Sequence, residues 1–210
     1  MCGIAGEFRF DGNTPDRARL ESMVDKLARR GPDGAGLHLS GPIALGHRRL
    51  AIIDLSERSS QPMLDNQLGL ALVFNGTIYN YPQLRATLIG KGHVFHSDGD
   101  TEVILRAYAE WGVDCARHLH GAFAFALWDS RAKSLMLARD RLGIKPLYIS
   151  QNGNSIRFAS TPQALLAGGD IDTRIDPEAL HHHFTLHAVV PAPRTLLAGI
   201  RKLAPATTML

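Results

Sequence analysis

Strand-like and helix-like stretches of this chain are grouped in separate blocks, and this grouping limits the folds that the chain can adopt. Residues 16–30 carry apolar side chains at helical spacing and are followed by Gly31-Pro32, which predicts a helix that ends there. Two glycine-broken stretches rich in apolar and β-branched residues, GPIALGHRRLAIID and LGLALVFNGTIYNY, predict strands. Regular alternation of strand and helix, typical of a parallel sheet, is missing. The sequence therefore predicts an α+β fold with two packed sheets flanked by helices.

The second half of the chain keeps helices and strands apart in the same way. YPQLRATLIGKG and DTEVILRAYAEWG predict two consecutive helices. The apolar runs AFAFALWDS and SLMLARD predict a buried hairpin, and PLYIS and SIRFAS predict another. Short helices are expected at Pro162–Ala167 and Pro177–Leu186. From Val189 onward, three prolines and weak periodicity indicate a closing strand or a linker.

Composition and charge exclude several classes of protein. Of the 210 residues, 45% are apolar and 20% are charged, which is typical of a folded globular domain. A net charge of +3 is too small to indicate a nucleic-acid partner. No apolar run reaches the roughly 18 residues of a membrane span and no signal peptide follows Met1, so a cytoplasmic protein without a membrane partner is predicted. Cys2 and Cys115 are then expected to be reduced thiols.

Cys2 directly follows the start methionine, a position where packing hardly explains a thiol. A thiol with its ordinary pKa of about 8.5 is only slightly ionised at neutral pH, so a catalytic cysteine needs a base. Removal of Met1, which a small residue at position 2 permits, gives Cys2 a free α-amine. The pKa of such an amine, about 7.7 to 8.0, suits it to accept and return a proton. Taken alone, Cys2 also has an ordinary explanation, as the second residue of the chain without a catalytic role.

Two further motifs have ordinary structural explanations when each is considered alone. Asn75-Gly76 lies between apolar runs, which is the usual sequence of a tight hairpin turn. His181–His183 lie in a predicted helix, and His187 directly follows it. Of these residues only the pair His183 and His187, four apart, could share a cation, and no acidic or cysteine partner stands at ligand spacing. The sequence therefore predicts no metal site. It also contains no glycine-rich phosphate-binding motif.

A series of stretches resembles, in order and over nearly the whole chain, the glutaminase domain of glutamine-hydrolysing asparagine synthetases. These are MCGIAGEF, RRGPDGAG, RRLAIIDL, FNGTIYNY, SDGDTEVIL, GAFAFALWD, RDRLGIKPLY and VVPAPRTLLAGIRKL. That domain is a class II glutamine amidotransferase, so the resemblance implies the N-terminal-nucleophile hydrolase fold, a four-layer αββα sandwich of two antiparallel sheets. The stretch FTLHAVVPAPRT also resembles the N-acetylglutaminylglutamine amidotransferase branch.

The resemblance assigns the chemistry to Cys2. It implies that the thiol attacks the side-chain amide of L-glutamine, forms a thioester and expels ammonia. Water then hydrolyses the thioester, which frees the thiol and forms glutamate. Asn75 and Gly76 match the family's oxyanion donors, so the same dipeptide has a second explanation beside the hairpin turn.

The resemblance also assigns the residues that bind the substrate. Arg49 matches the arginine that holds the α-carboxylate, and Asp100 matches the aspartate that accepts from the α-ammonium. Asp100 is equally suited to cap the helix that starts at Thr101. Thr77 stands where the family usually has a glutamate that helps to hold the amine, and weaker glutamine binding with intact chemistry is predicted.

The implied organisation is a glutaminase domain at residues 2–188 and a closing segment or linker at 189–210, leading toward a C-terminal ATP-dependent synthetase domain. That second domain accepts the ammonia, and ATP and magnesium are expected only there, so no cofactor is expected in this domain. The sequence leaves a homodimer open. It also leaves open an inactive or regulatory domain of the same fold, and a glutaminase that serves a sugar phosphate or phosphoribosyl acceptor.

Overall fold

The structure is a computed structural model that describes residues 1–210, and its strands form two antiparallel sheets. The strands are β1 (Gly3–Arg9), β2 (Gly34–Ser40), β3 (Ile43–Arg49), β4 (Met63–Asp65), β5 (Leu70–Ile78), β6 (Gly121–Asp129), β7 (Ser134–Arg139), β8 (Tyr148–Gln151), β9 (Ser155–Ala159), β10 (Arg201–Lys202) and β11 (Thr208–Met209). The six-stranded sheet has the order β10-β8-β9-β1-β3-β2, and the five-stranded sheet has the order β11-β7-β6-β5-β4.

Helices cover the outer faces of both sheets. They are α1 (Arg17–Asp25), α2 (Tyr81–Gly90), α3 (Asp100–Trp111), α4 (Cys115–His118), α5 (Pro162–Ala167) and α6 (Pro177–Thr185). Side chains start several of them: Asp16 accepts from the first-turn amides of α1, and Asp176 does the same for α6. Helix α1 ends at Asp25 rather than at residue 30, because the next residues form tight turns that lead back toward Cys2.

Three apolar cores separate the four layers, which confirms the predicted αββα sandwich. Between the sheets, Ile4 and Leu45 of one sheet meet Val73 and Trp128 of the other. A second core packs the outer face of the five-stranded sheet against α2 and α3. A third packs α1 and α5 on the six-stranded sheet. Both ends of the layered stack are therefore helical, and the sheets face each other.

The end of the chain packs against both sheets. Strand β10 pairs with β8 in the six-stranded sheet, and β11 pairs with β7 in the five-stranded sheet. Ile200 and Leu203 are buried in two different cores. Residues 189–210 thus supply one edge strand to each sheet.

Two expectations from local sequence are wrong. Asn75 and Gly76 lie inside strand β5 and pair with Ala124 and Phe123 of β6, so the hairpin-turn explanation fails. The strand predicted across GPIALGHRRLAIID ends at Arg49, and AIID forms a loop. Both corrections matter for function, because the end of β3 and the middle of β5 border the same pocket. No helix of the structure has the length and apolar character that crossing a membrane requires.

Candidate active site

A pocket at one end of the sandwich brings together the six site residues that the sequence predicted. It is lined by the residue before β1, the end of β3 with the loop after it, the second half of β5 and the start of α3. The six residues are Cys2, Arg49, Asn75, Gly76, Thr77 and Asp100. Residues that lie far apart in sequence therefore meet because two sheets and one helix end at the same place.

Cys2 is held at the end of the central strand β1, which pairs with β3 on one side and β9 on the other. Its Sγ accepts a hydrogen bond from the Leu50 amide at 3.3 Å, and its carbonyl accepts from Arg30 Nε at 3.0 Å. Burial lowers the pKa of Arg30. A side chain at Gly3 would place a Cβ 2.8 Å from the Leu27 side chain, so glycine is needed to seat Cys2. The thiol is thus fixed at the pocket wall.

Strand β5 presents a partly open edge to the pocket. Strand β4 covers this edge only as far as Leu72. Beyond it, the Phe74 amide donates to the side-chain oxygen of Gln61 at 2.6 Å, and the Ile78 amide donates to Asp100 Oδ2 at 2.9 Å. Because alternate residues of an antiparallel strand face the same edge, the N–H of Gly76 faces the pocket as well.

Two hydrogen-bond donors are therefore available side by side. The side-chain nitrogen of Asn75 is buried and has no hydrogen-bond partner, although the residue is only 1% exposed. Gly76 offers its backbone N–H, and no larger residue fits, because a Cβ there would lie 2.3 Å from the Ala122 carbonyl oxygen. A buried donor without a partner is costly in a folded protein, which points to a group from outside the chain as its acceptor.

The opposite side of the pocket is built from loops. The Arg49 guanidinium donates to the carbonyl of Asp54. The Asp54 carboxylate accepts from the Ser56 amide at 2.8 Å, the Ser59 hydroxyl at 2.7 Å and the Asp98 amide at 3.0 Å. These bonds, that from the Ser59 hydroxyl first, hold the pKa of the Asp54 carboxyl well below its usual value. Asp54 therefore joins the loop after β3 to the loop before α3.

Asp100 lies in the first turn of α3 and is 5% exposed. Gly99 occupies the N-cap position, so the explanation of Asp100 as the helix cap is wrong. Burial raises the pKa of the Asp100 carboxyl to about 6, against the opposing effect of the hydrogen bond from Ile78. The raised pKa means that burial disfavours the charged form of this carboxyl. A cation placed beside Asp100 would stabilise that charged form.

Thr77 follows Gly76 and lines the pocket. It lies two residues after Asn75 on β5, so the two side chains project from the same face of the strand. Thr77 is only partly buried and carries no charge. The carboxylates at this part of the pocket wall are therefore those of Asp54 and Asp100 alone.

His47, Gln61 and Asp54 support the site, and sequence reasoning did not find them. His47 is fully buried on β3, and its Nε2 lies 3.2 Å from the Phe74 carbonyl oxygen of the other sheet. A carbonyl only accepts, so Nε2 carries the proton. Burial, aided by the nearby charge of Arg49, lowers the His47 pKa to about 4, so the ring is neutral at physiological pH. The partners of His47 and Gln61 are distant in sequence, so local spacing does not predict these two residues.

The remaining candidates lie outside the pocket. Cys115 is fully buried in the core beside α3, and burial raises the pKa of its thiol to about 12. It is therefore a packing residue. His181–His183 lie on α6, and no group of three or more His, Cys, Asp or Glu residues is arranged to hold a metal ion.

Comparison with known proteins establishes the family. The family model described as "Glutamine amidotransferase domain" matches residues 1–210. Asparagine synthetase [glutamine-hydrolyzing] 3 of Bacillus subtilis is 38% identical over 98% of this chain and 34% of the relative. A putative asparagine synthetase [glutamine-hydrolyzing] of Mycobacterium bovis is 42% identical over 97% of this chain and 34% of the relative. The chain belongs to the glutamine amidotransferase domain family.

A solved structure agrees with this assignment. Glutamine phosphoribosylpyrophosphate amidotransferase from B. subtilis, complexed with ADP and GMP, superposes with a TM-score of 0.67 at 25% identity. The match covers 80% of this chain and 44% of that chain. The resemblance to glutamine-hydrolysing asparagine synthetases and the N-terminal-nucleophile fold are confirmed. The chain spans about a third of the length of the curated relatives that it matches.

Proposed function

We propose that this domain hydrolyses the side-chain amide of L-glutamine to glutamate and ammonia through a thioester on Cys2. The observation that carries the proposal is the meeting, in one pocket, of the Cys2 thiol with two adjacent free donors from Asn75 and Gly76. A nucleophile and an oxyanion site within one pocket are the minimum set for acyl transfer.

The α-amine of Cys2, free once Met1 is removed, is the base. It takes the thiol proton as Sγ bonds to the side-chain carbonyl carbon of glutamine. It then returns that proton to the amide nitrogen as the carbon–nitrogen bond breaks and ammonia leaves. Water adds to the thioester carbon with loss of a proton to the same amine, and Sγ regains a proton as glutamate departs. One group near its own pKa serves both directions of transfer.

Asn75 and Gly76 stabilise the negative oxygen of both tetrahedral intermediates. Their donors already point into the pocket before substrate arrives, so no bond within the protein needs to be broken to form the oxyanion site. Loss of one preorganised donor of this kind typically costs about a hundred- to a thousandfold in rate.

Arg49 and Asp100 bind the two charged groups of the amino acid. The planar guanidinium of Arg49 suits the α-carboxylate. Asp100 has one oxygen bonded to the Ile78 amide and receives the α-ammonium on the other. Thr77 adds no carboxylate at this end, and we therefore expect modest affinity for glutamine together with intact chemistry.

The ammonia supplies an amide-forming synthetase domain of the asparagine synthetase type, which uses ATP and magnesium and works with this domain in the cytoplasm. The support is that relatives named as glutamine-hydrolysing asparagine synthetases match across nearly this whole chain, yet about two-thirds of their own length lies outside the match.

Treatment with the glutamine-analogue electrophile diazo-oxo-norleucine, followed by peptide mapping, tests the proposal. We expect one adduct on Cys2, protection by glutamine, and no adduct in Cys2→Ala. Intact mass measured on the same sample reports whether Met1 has been removed, and chains that keep Met1 should not turn over glutamine. Labelling of Cys115 in place of Cys2 would contradict the mechanism.

A further inference from the structure

Gln61 occupies the gap that strand β4 leaves along the open edge of β5. It precedes β4 in the chain, lines the pocket and is 9% exposed. Its side-chain oxygen accepts from the Phe74 amide at 2.6 Å, and its side-chain nitrogen donates to the Thr101 hydroxyl at 3.3 Å. One amide side chain therefore connects the oxyanion strand to the helix that carries Asp100.

The position of these bonds along β5 gives them a functional meaning. Phe74, Gly76 and Ile78 face the same edge of the strand. Gln61 accepts a hydrogen bond from the Phe74 N–H, and Asp100 accepts one from the Ile78 N–H. His47 donates to the Phe74 carbonyl. Side chains thus fill the place of a neighbouring strand on both sides of Gly76, which leaves its N–H free and fixed in direction.

We propose that Gln61 is a positioning residue for the oxyanion site. By accepting from the peptide two residues before Gly76, it keeps the edge of β5 straight, so that the Gly76 N–H and the Asn75 amide converge on the same point. This inference rests on the proposed hydrolysis of glutamine. Loss of the acceptor at Gln61 should move the oxyanion donors and leave Arg49 in place.

Gln61→Leu and Gln61→Glu form a matched pair. Leu keeps the bulk and removes the acceptor, whereas Glu keeps an oxygen that accepts from Phe74. We expect Gln61→Leu to lower kcat for glutamine hydrolysis by about ten- to a hundredfold with KM changed less than about threefold, since small misplacements of catalytic groups cost this much. Gln61→Glu should recover most of the lost kcat. Ser60→Ala, at the exposed neighbour, is the control and should match the wild type.

Alkylation of Cys2 by iodoacetamide separates positioning from general damage. This displacement forms no oxyanion, so Gln61→Leu should be alkylated at the wild-type rate while its glutamine turnover falls. If Gln61→Leu fails to fold, Thr101→Val removes the bond that holds the Gln61 side chain, and a smaller fall in kcat with unchanged alkylation is expected.

Three results would overturn the role of Gln61. These are a wild-type kcat in Gln61→Leu, a rise in KM without a fall in kcat in that variant, and an equal loss of kcat in Gln61→Leu and Gln61→Glu. An unchanged kcat in Thr101→Val would also overturn it if that variant has to be used. Absence of glutamine turnover in wild-type protein of confirmed N-terminal processing would instead overturn the proposed function, which keeps the two failures distinct.

Discussion

The two sides of the pocket are built in different ways. Strand β5 pairs with β6 along its whole length, from Leu70 to Ile78, and carries the proposed oxyanion donors on this regular backbone. The opposite side is the loop after β3, which no strand pairs with and in which Ile52 and Leu55 are 70% and 74% exposed. Bonds to Asp54 hold that loop. On the proposed mechanism, the oxyanion donors therefore lie on the rigid side, and Arg49, which binds the α-carboxylate, is held by the looser one.

Removal of an oxyanion donor should give the largest effect. Asn75→Ala leaves the backbone pairing of β5 unchanged and deletes one of the two donors. We expect kcat to fall by about a hundred- to a thousandfold while KM stays within about threefold of the wild-type value. Steady-state glutaminase kinetics measure both constants. A change confined to KM would show that Asn75 acts in substrate binding and not in stabilising the oxyanion.

Asp54→Ala tests the loop side. It deletes the acceptor of three bonds that hold the two loops, each worth about 1 kcal/mol, so KM for glutamine should rise by roughly ten- to a hundredfold. The value of kcat should remain near that of the wild type. Asp54→Asn keeps one accepting oxygen and should lie between the two proteins. A fall in kcat without a change in KM would contradict the division between the two sides.

The carboxyl of Asp100 should make glutamine binding depend on pH. Its pKa is raised to about 6, so protonation below that pH removes the charge that pairs with the α-ammonium. KM should therefore rise as pH falls through about 6, by severalfold at pH 5, in the wild type. Asp100→Asn should have a high KM without this dependence, and a pH profile of KM for both proteins provides the check.

The charge of the Asp100 carboxyl has opposite effects on binding and on stability. It favours glutamine binding, but it lowers the free energy of unfolding. Its folded pKa of about 6 exceeds the reference value of 3.8, so the folded state resists ionisation. This penalty is absent below about pH 4 and fully present above about pH 6. The free energy of unfolding of the wild type should therefore fall, relative to Asp100→Asn, by up to about 3 kcal/mol over that interval. Urea unfolding at pH 4 and pH 7.5 measures the difference, and parallel stability curves for the two proteins would contradict it.

Thr77→Glu should give the smallest change. Thr77 is partly exposed, so an added carboxylate would be partly screened and would strengthen ammonium binding by about two- to fivefold in KM. The value of kcat should stay constant. If KM does not decrease, position 77 does not limit glutamine affinity in this protein.

Local pattern predicted the fold where apolar residues are concentrated in one segment. The α3 helix, the β6–β7 hairpin and helix α5 agree with their predictions, and each places apolar residues in a core. Strand β2 was missed, because GAGLHLS has few apolar residues and lies at a sheet edge. The turn preference of Asn75-Gly76 was overridden by pairing with β6, a contact with residues more than 40 positions away.

The sequence predicted the site residues that belong to recognisable motifs, but not the residues that support them. Its six predicted residues came from quoted motifs and their resemblance to a family, and they do meet in one pocket. Gln61 and His47 were not found, because their partners lie 13 to 40 residues away in the chain. Hydrogen bonds of that range follow from the packing of the two sheets and leave no trace in local spacing.

The place of Met1 has a consequence for anyone who purifies this protein. Met1 is 55% exposed and lines the same pocket as Cys2, while Arg30 and Leu50 already hold Cys2 in position. On the proposed mechanism, a chain that keeps Met1 is folded but inactive for two reasons. It lacks the free α-amine that serves as the base, and its Met1 partly occupies the space of the substrate. The fraction of chains that diazo-oxo-norleucine labels at Cys2 then counts processed chains, and specific activity should scale with that fraction even among samples that melt at the same temperature.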